Sequence, residues 1–564
     1  MSVQSRRTLL KQTGTATAAA LLAGSKHGVA AEGGAKRPPN VVFILTDDQG
    51  YGDLGCTGNP VLKTPRIDSI CRDGARFARF HSSPVCTPTR ASLMTGRYNY
   101  RTRAIDTYQG RAMMDPAEVT MAQMLSAQGY RTGIFGKWHL GDNYPMRAMD
   151  RGFQESLVHK GGGICQPSEP DDMTYFDTTL LKNGQRFASK GYCTDVFADA
   201  AVKFIEANAD RPFFTYFAAN APHNPLFVED RYWRPYAEQG VDENTAKVYG
   251  MIANLDENVG KLLDTQDRLK IAENTIVIFM TDNGPQFAGK PRYNAGMRGQ
   301  KGTVYEGGIR VPCFVRWPGV IAPNSEIPTL AAHIDLLPTL LEACGANAPA
   351  DVKLDGRSLW PLLKGEKPDW PDRTLFFQWH RGDAPEAFRD CAAVTQRYKL
   401  VNGKELYDLE ADLAEKNDIA VDHPDIVQRL RAEYEAWFKD VSSTRGYDPP
   451  RIVLGTDHEN PSVLTRQDWR GTESWHDGQV GWWEVSVAQT GRYRITVQLP
   501  KPAAGVGGAV FRLNGVEVKQ EVPKDTKRFV FPETQIPAGD GRLETWLAAG
   551  DKRDGAERVW VERL

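Results

Sequence analysis

The chain has 564 residues, 41% of them hydrophobic, which is more than one ordinary core can use and implies two or three folded domains. Its formal net charge is −2 with acidic and basic residues interspersed, so no polybasic stripe follows a phosphate backbone and nucleic acid is not an expected partner. After the N-terminal leader no apolar run approaches the length of a membrane span, so stable membrane insertion is not expected either.

In chain order, Ser5-Arg6-Arg7-Thr8-Leu9-Leu10-Lys11 precedes a weakly apolar run, TATAAALLAG, and the small-residue stretch Gly28-Val29-Ala30-Ala31. Residues 1–31 thus resemble a bacterial twin-arginine export signal, predicting a periplasmic or extracellular mature chain that starts near Ala31. The eight cysteines have no CxxC spacing, which argues against a zinc ribbon or a redox pair. Most are expected to be buried small hydrophobes, with disulfides after export left open.

Residues 38–335 alternate short apolar runs with helix-period segments, the pattern of a large, mostly parallel sheet flanked by helices. Strands are predicted at Val41–Leu45, Thr132–Phe135, Phe213–Phe217 and Thr275–Met280. One helix is expected to open at Thr64-Pro65 and close near Gly74. Another is expected from Asp115 as N-cap, with Pro116 and Glu118 in its first turn, to Gly129. A longer one runs from about Asn244 to Leu269, with Val248, Met251, Ile252, Leu255 and Val259 on one face. Residues 336–445 read as a smaller α/β subdomain with a short antiparallel sheet, its strands near Leu375–Trp379 and Tyr398–Val401. It ends in a helix bearing Ile426, Leu430, Tyr434 and Trp437. A linker around Ser442–Pro450 leads to residues 446–564, where period-two alternation and an Asn514-Gly515 turn predict an all-β sandwich module.

In an open α/β sheet, ligands gather beyond the carboxyl ends of the strands. There, Val41–Leu45 runs into Asp47-Asp48, and Thr275–Met280 into Asp282-Asn283. Such oxygen-rich side chains without histidine or thiolate repel one another unless a hard cation lies between them, so calcium or magnesium fits, calcium better. Each pair taken alone also reads as turn or cap residues. The other strand ends bring Lys137 and His139, and His223, with Lys301 in a later loop, which together read as an anion-binding edge.

These residues resemble the sulfatase family, within the alkaline-phosphatase-like superfamily. The signature C-x-P-x-R is Cys86-Thr87-Pro88-Thr89-Arg90, a pattern that arises by chance in about 2% of chains this long. It is accompanied, in the family's order, by PNVVFILTDDQGYGDLG, GKWHLG, APHNP, TDNG, KGTVYEGGIRVP and ELYDLEADLAEKNDIA, so the resemblance covers about residues 38–445. It implies an alkaline-phosphatase-like fold and one calcium ion held by Asp47, Asp48, Cys86, Asp282 and Asn283. It also implies conversion of Cys86 to formylglycine by a separate maturation enzyme. Arg90, Lys137, His139, His223 and Lys301 match the residues that position that group and hold the sulfate.

The basic groups and the helix N-terminus predict a lowered thiol pKa for Cys86. A thiol or serine nucleophile would leave a sulfated side chain needing a second attack at sulfur. A hydrated aldehyde instead offers one hydroxyl to attack and a second whose deprotonation releases sulfate by C–O cleavage. On this reading the metal and the two lysines stabilise charge on the SO₃ group. Family precedent makes His223 the acid for the leaving alcohol and His139 the base, roles that can be exchanged. The expected substrate is a sulfated glycan or a small aryl sulfate. A phosphate or phosphonate ester hydrolase of the same superfamily is the alternative, and a non-catalytic glycan-binding protein a third reading.

Loops His159–Gly163 and Gln378–Arg381 are candidates for specificity, or equally an ordinary surface loop and strand end. Trp469, Trp475, Trp482, Trp483, Trp546 and Trp560 of the β module invite a sugar-stacking role, but aromatics in a small sandwich are more often core, which favours a packing module bordering the cleft. The oligomeric state is left unassigned.

Overall fold

A computed structural model describes residues 37–169, 174–471, 479–549 and 552–564. The export-signal residues 1–31 and Trp475 lie outside the described residues.

Ten strands build the central sheet: β1 (Asn40–Thr46), β2 (Ala75–Phe77), β3 (Arg131–Lys137), β4 (Glu155–His159), β5 (Thr179–Lys182), β6 (Gln185–Ala188), β7 (Phe213–Ala218), β8 (Thr275–Thr281), β9 (Cys313–Arg316) and β10 (Ser325–Ile327). Their spatial order is β10-β2-β9-β8-β1-β7-β3-β4-β5-β6. The middle strands β8, β1, β7, β3 and β4 are mutually parallel, whereas β9 and β5 run antiparallel to them and β6 turns back against β5. The sheet is therefore mixed, and the expected parallel arrangement holds at its centre.

β1, NVVFILT, is a continuous apolar run with every residue buried, as a strand covered on both faces requires. Successive side chains point to opposite faces, so Val41, Phe43 and Leu45 join one core and Val42 and Ile44 the other. Helices α1 (Pro65–Arg72), α2 (Cys86–Thr95), α3 (Met121–Ala127), α4 (Cys193–Ala207), α5 (Asp230–Ala237) and α6 (Glu243–Arg268) follow in chain order. α1, α4 and α6 contribute Ile67, Phe197 and Leu255 to the core beside Val42 and Ile44. α2 and α3 contribute Leu93 and Leu125 to the opposite core.

The helix expected from Asp115 starts later. Thr120 is its N-cap, accepting from the Gln123 amide at 3.1 Å while the Gln123 side chain accepts from the Thr120 amide at 2.9 Å. Asp115 instead closes a turn on the Ala117 amide and pairs with Arg103 and Arg445, and Glu118 pairs with Arg97 and Arg445. Their side chains are committed to long-range ion pairs, so the reciprocal box two residues further on sets the start.

A four-stranded antiparallel sheet, Leu375–Gln378, Cys391–Val394, Tyr398–Val401 and Glu405–Asp408, packs with the helix Pro424–Ser442 through Leu430 and Tyr434. Beyond it, a six-stranded and a five-stranded sheet enclose one core that includes Trp469 and Trp483, stacked at 6.0 Å and 16°. Asn514 and Gly515 both have positive φ, 49° and 80°, as a two-residue primed hairpin turn demands. This core also takes in Met113 and Met146 from the sequence before α3 and after β3. Among the described residues no helix is long and apolar enough to cross a membrane.

Candidate active site

β1 and β8 are parallel neighbours with Thr46 opposite Thr281, so the acidic pairs that follow them emerge side by side. The Asp282 amide donates to the Thr46 carbonyl at 3.1 Å, and the Asp48 amide to Asp282 Oδ1 at 3.2 Å. β3 delivers Lys137 to the same edge, its Nζ 2.6 Å from Asp47 Oδ2. That approach depends on Gly136, whose φ is 122° and where a Cβ would lie 1.9 Å from the Ala218 carbonyl oxygen of β7.

Cys86 is the first residue of α2, after an extended Val85 that provides no side-chain cap. The uncapped first-turn amides and the positive end of the helix dipole therefore face this edge. One turn on, Arg90 donates Nη2 and Nε to Asp282 Oδ2 at 2.8 and 3.2 Å, and Nη1 to the Lys137 carbonyl at 3.0 Å. It ties the helix to both β8 and β3. Lys301 Nζ lies 2.6 Å from Asp48 Oδ1, and Asn283 Nδ2 donates to the same oxygen at 2.9 Å.

These groups are buried apart from Lys301 and His223, which are partly exposed at the cavity, and burial governs their protonation. It raises the Asp282 carboxyl to about 6, with Asp47 adding repulsion against the pull of Arg90. Burial also opposes ionisation of Asp48, but the nearby lysines, Lys301 foremost and then Lys137, outweigh it and hold Asp48 below the carboxylate range. His223 is lowered to about 3 by burial despite Asp48 at 3.7 Å, and its Nδ1 is 2.7 Å from the Asn224 carbonyl. His139 is lowered well below the usual range, by burial and then Lys137. Both imidazoles are neutral near pH 7, and the bonds to carbonyls fix their tautomers: proton on Nδ1 in His223 and on Nε2 in His139, which is 2.8 Å from the Thr107 carbonyl.

The thiol of Cys86 departs from the sequence expectation. Its burial at 2% exposure pushes the pKa up, more than Lys137 and Lys301 pull it down. The cysteine itself is a poor thiolate nucleophile.

Asp47 Oδ1 and Asn283 Oδ1 are buried without a hydrogen-bond partner, and Asp47, Cys86 and Asp282 present ligand atoms within 4.8 Å of one another. Unpaired buried oxygens beside such a cluster suit a hard cation. Around them opens a cavity of about 540 Å³ lined by Cys86, His139, His223 and Lys301 together with Thr107, Tyr108, Gln166, Gln286, Trp379 and Arg381.

The sulfatase family profile matches residues 39–346, and that of the N-sulphoglucosamine sulphohydrolase C-terminal region matches residues 299–440. The chain belongs to the sulfatase family. Human arylsulfatase A is 37% identical over 400 residues, which are 64% of this chain and 74% of that protein. Mouse N-acetylgalactosamine-6-sulfatase is 32% identical, over 63% of this chain and 72% of its own. A crystal structure of Ps i-CgsB in complex with k-i-k-neocarrahexaose superposes with a TM-score of 0.66 and 28% identity, covering 73% of this chain and 95% of that one.

In this sulfatase-family enzyme the structure brings every predicted site residue to one strand-end edge, and adds others. The His159–Gly163 loop packs on both histidines: a Cβ on Gly162 would lie 2.7 Å from the His139 ring, and one on Gly163 2.9 Å from that of His223. Trp379 and Arg381 line the cavity and are held by Asp106, which accepts from Trp379 Nε1 at 3.1 Å and Arg381 Nη1 at 2.7 Å. Thr107, Tyr108, Gln166 and Gln286 were not singled out from sequence. They are ordinary polar residues in loops, with no spacing signal to mark them.

Proposed function

We propose that this sulfatase hydrolyses sulfate monoesters on carbohydrates, using formylglycine made from Cys86 and one calcium ion held by Asp47, Asp48, Asp282, Asn283 and residue 86. The observation that carries the reading is the buried oxygen set, with unpaired Asp47 Oδ1 and Asn283 Oδ1, set between two lysines and the N-terminus of the helix that Cys86 opens. Conversion of Cys86 exchanges a sulfur for oxygen and makes the set uniformly hard.

When bound, calcium supplies Lewis acidity and neutralises sulfate oxygens. Formylglycine, once hydrated, supplies a nucleophilic hydroxyl and a second one whose deprotonation frees the product. The chain's own residues do the rest. Lys137 and Lys301 reach the anionic group and stabilise charge spreading over its oxygens. Arg90 fixes the carboxylate of Asp282 and, through the Lys137 carbonyl, the end of β3. His223, which lines the cavity, serves as the acid for the leaving alcohol only once its Nε2 has gained a proton beside the bound anionic ester, and the lone pair of His139 Nδ1 takes a proton from residue 86.

Cys86 lies in a helix whose ten residues are all buried, so a maturation enzyme must reach it before the chain folds. The twin-arginine-like leader supports later export of the folded product. A carbohydrate substrate is supported by the aromatic and basic cavity mouth, Tyr108, Trp379 and Arg381, and by the sugar sulfatase and oligosaccharide complex among the relatives.

The test uses protein co-produced with a formylglycine-generating enzyme, assayed on matched aryl sulfate and aryl phosphate esters, with peptide mass spectrometry over residue 86. Faster sulfate turnover and a converted peptide are expected. A strong phosphate preference overturns the substrate reading, and full activity with unconverted Cys86 overturns the mechanism.

A further inference from the structure

The C-terminal β module lies outside the residues matched by the family profiles, yet one of its turns reaches the catalytic edge. We propose that the segment Arg466–Arg470 is part of the catalytic centre, with Gln467 a positioning residue that holds the Thr107 carbonyl against His139. The inference rests on the sulfatase reading above and extends it to a region that reading does not use.

The contacts are specific. Gln467 Nε2 donates to the Thr107 carbonyl at 2.9 Å, the oxygen that lies 2.8 Å from His139 Nε2. A carbonyl has two lone pairs and accepts only, so one goes to the histidine and the other to the module, and the glutamine must present its amide nitrogen. The Gly110 amide donates to the Gln467 carbonyl at 3.2 Å, and Arg470 Nη1 to the Gln109 carbonyl at 2.9 Å. Three hydrogen bonds from five residues thus clamp the loop 106–111. Arg466, bonded to the Gly555 and Ala556 carbonyls at 3.0 and 3.1 Å, ties that turn back into the module's own sheets.

The consequence falls on one atom. With Nε2–H committed to Thr107, the lone pair of His139 sits on Nδ1, which is buried and has no hydrogen-bond partner. His139 and Gln467 are each 2% exposed, so water does not take over for a missing contact. The same clamped loop carries Asp106, which anchors Trp379 and Arg381 at the cavity mouth.

A double-mutant cycle on the full chain tests the assignment. Gln467→Met keeps the side-chain volume and removes the donor. It is expected to lower kcat about tenfold, the order of one lost hydrogen bond, with KM within about twofold. In a His139→Ala background the same substitution is expected to add no further loss, because its effect passes through the imidazole. Equal fold-losses in both backgrounds, or an unchanged kcat in the single variant, overturn the proposal. Gln467→Leu, which likewise lacks a donor and adds no charge, is the second variant and is read the same way if Gln467→Met folds poorly. The cycle is run on whichever aryl ester, sulfate or phosphate, the wild type prefers. Failure of the sulfatase reading then shows in that preference, and failure of the clamp shows in the additivity.

Discussion

Arg90 divides one guanidinium between the Asp282 carboxylate and the Lys137 carbonyl, and nothing smaller or more flexible makes both contacts. Arg90→Met leaves the Asp282 carboxylate buried without its partner, so we expect a stability loss of about 3–5 kcal/mol, read from the denaturant midpoint at unchanged slope. Arg90→Lys keeps a charge near Asp282 but loses the fork, and its midpoint should fall between those of Arg90→Met and the wild type. Equal midpoints for all three would show that the pair carries no net stability. At this scale the sequence was informative where chemistry is written in rare patterns. Cys86-x-Pro-x-Arg, Asp47-Asp48 and Asp282-Asn283 stand out because cysteine, proline and adjacent oxygen-bearing side chains directly after a strand are positionally demanding. The protonation of Cys86 was not legible, because it depends on a burial that no neighbour in sequence reveals.

The strand ends work as a positioning device only where the backbone itself permits close approach. Gly136, with its positive φ and the Ala218 carbonyl directly beside it, lets β3 carry Lys137 to Asp47. Gly136→Ala should cost upwards of about 2 kcal/mol, because strain at positive φ and a backbone clash add, and should lower kcat more than a remote substitution of equal cost in stability. Thermal melts paired with kcat separate the two effects. An alanine variant with wild-type kcat would show that β3 adjusts without moving Lys137. The four central strands were legible to within two residues: β1, β7 and β8 are nearly continuous apolar runs, as buried parallel strands require, and β3 keeps Ile134-Phe135 at its middle. The start of α3 was misread, because Asp115-Pro116 and Thr120-Met121 both satisfy local capping rules. Only the distant arginines, Arg97, Arg103 and Arg445, decide between them.

Across the whole molecule, the catalytic sheet and the β module meet along a seam that composition could not foretell, since its members, Asp142, Gln467, Asp468 and Glu459, are ordinary polar residues far apart in sequence. Glu459 accepts from the Tyr144 amide at 2.9 Å, and Arg558 donates to the Glu169 carbonyl. Asp468 is the exposed weakness of this seam in pH rather than in space. It is 2% accessible, its Oδ2 has no partner, and burial with added repulsion from Asp142 raises its carboxyl to about 8, against a weaker pull from Lys160. A carboxyl whose folded pKa lies above its unfolded value of about 3.9 contributes stability fully present below that value and lost as pH rises toward the folded one. The native protein should therefore lose stability between about pH 4 and pH 8 through this group. Asp468→Asn cannot ionise and should show a flatter Tm profile over that window, with its advantage over wild type greatest near pH 8. Parallel Tm profiles for the two proteins would mean that Asp468 ionises in the fold as readily as in the unfolded chain, and that the seam is wetter than its burial implies.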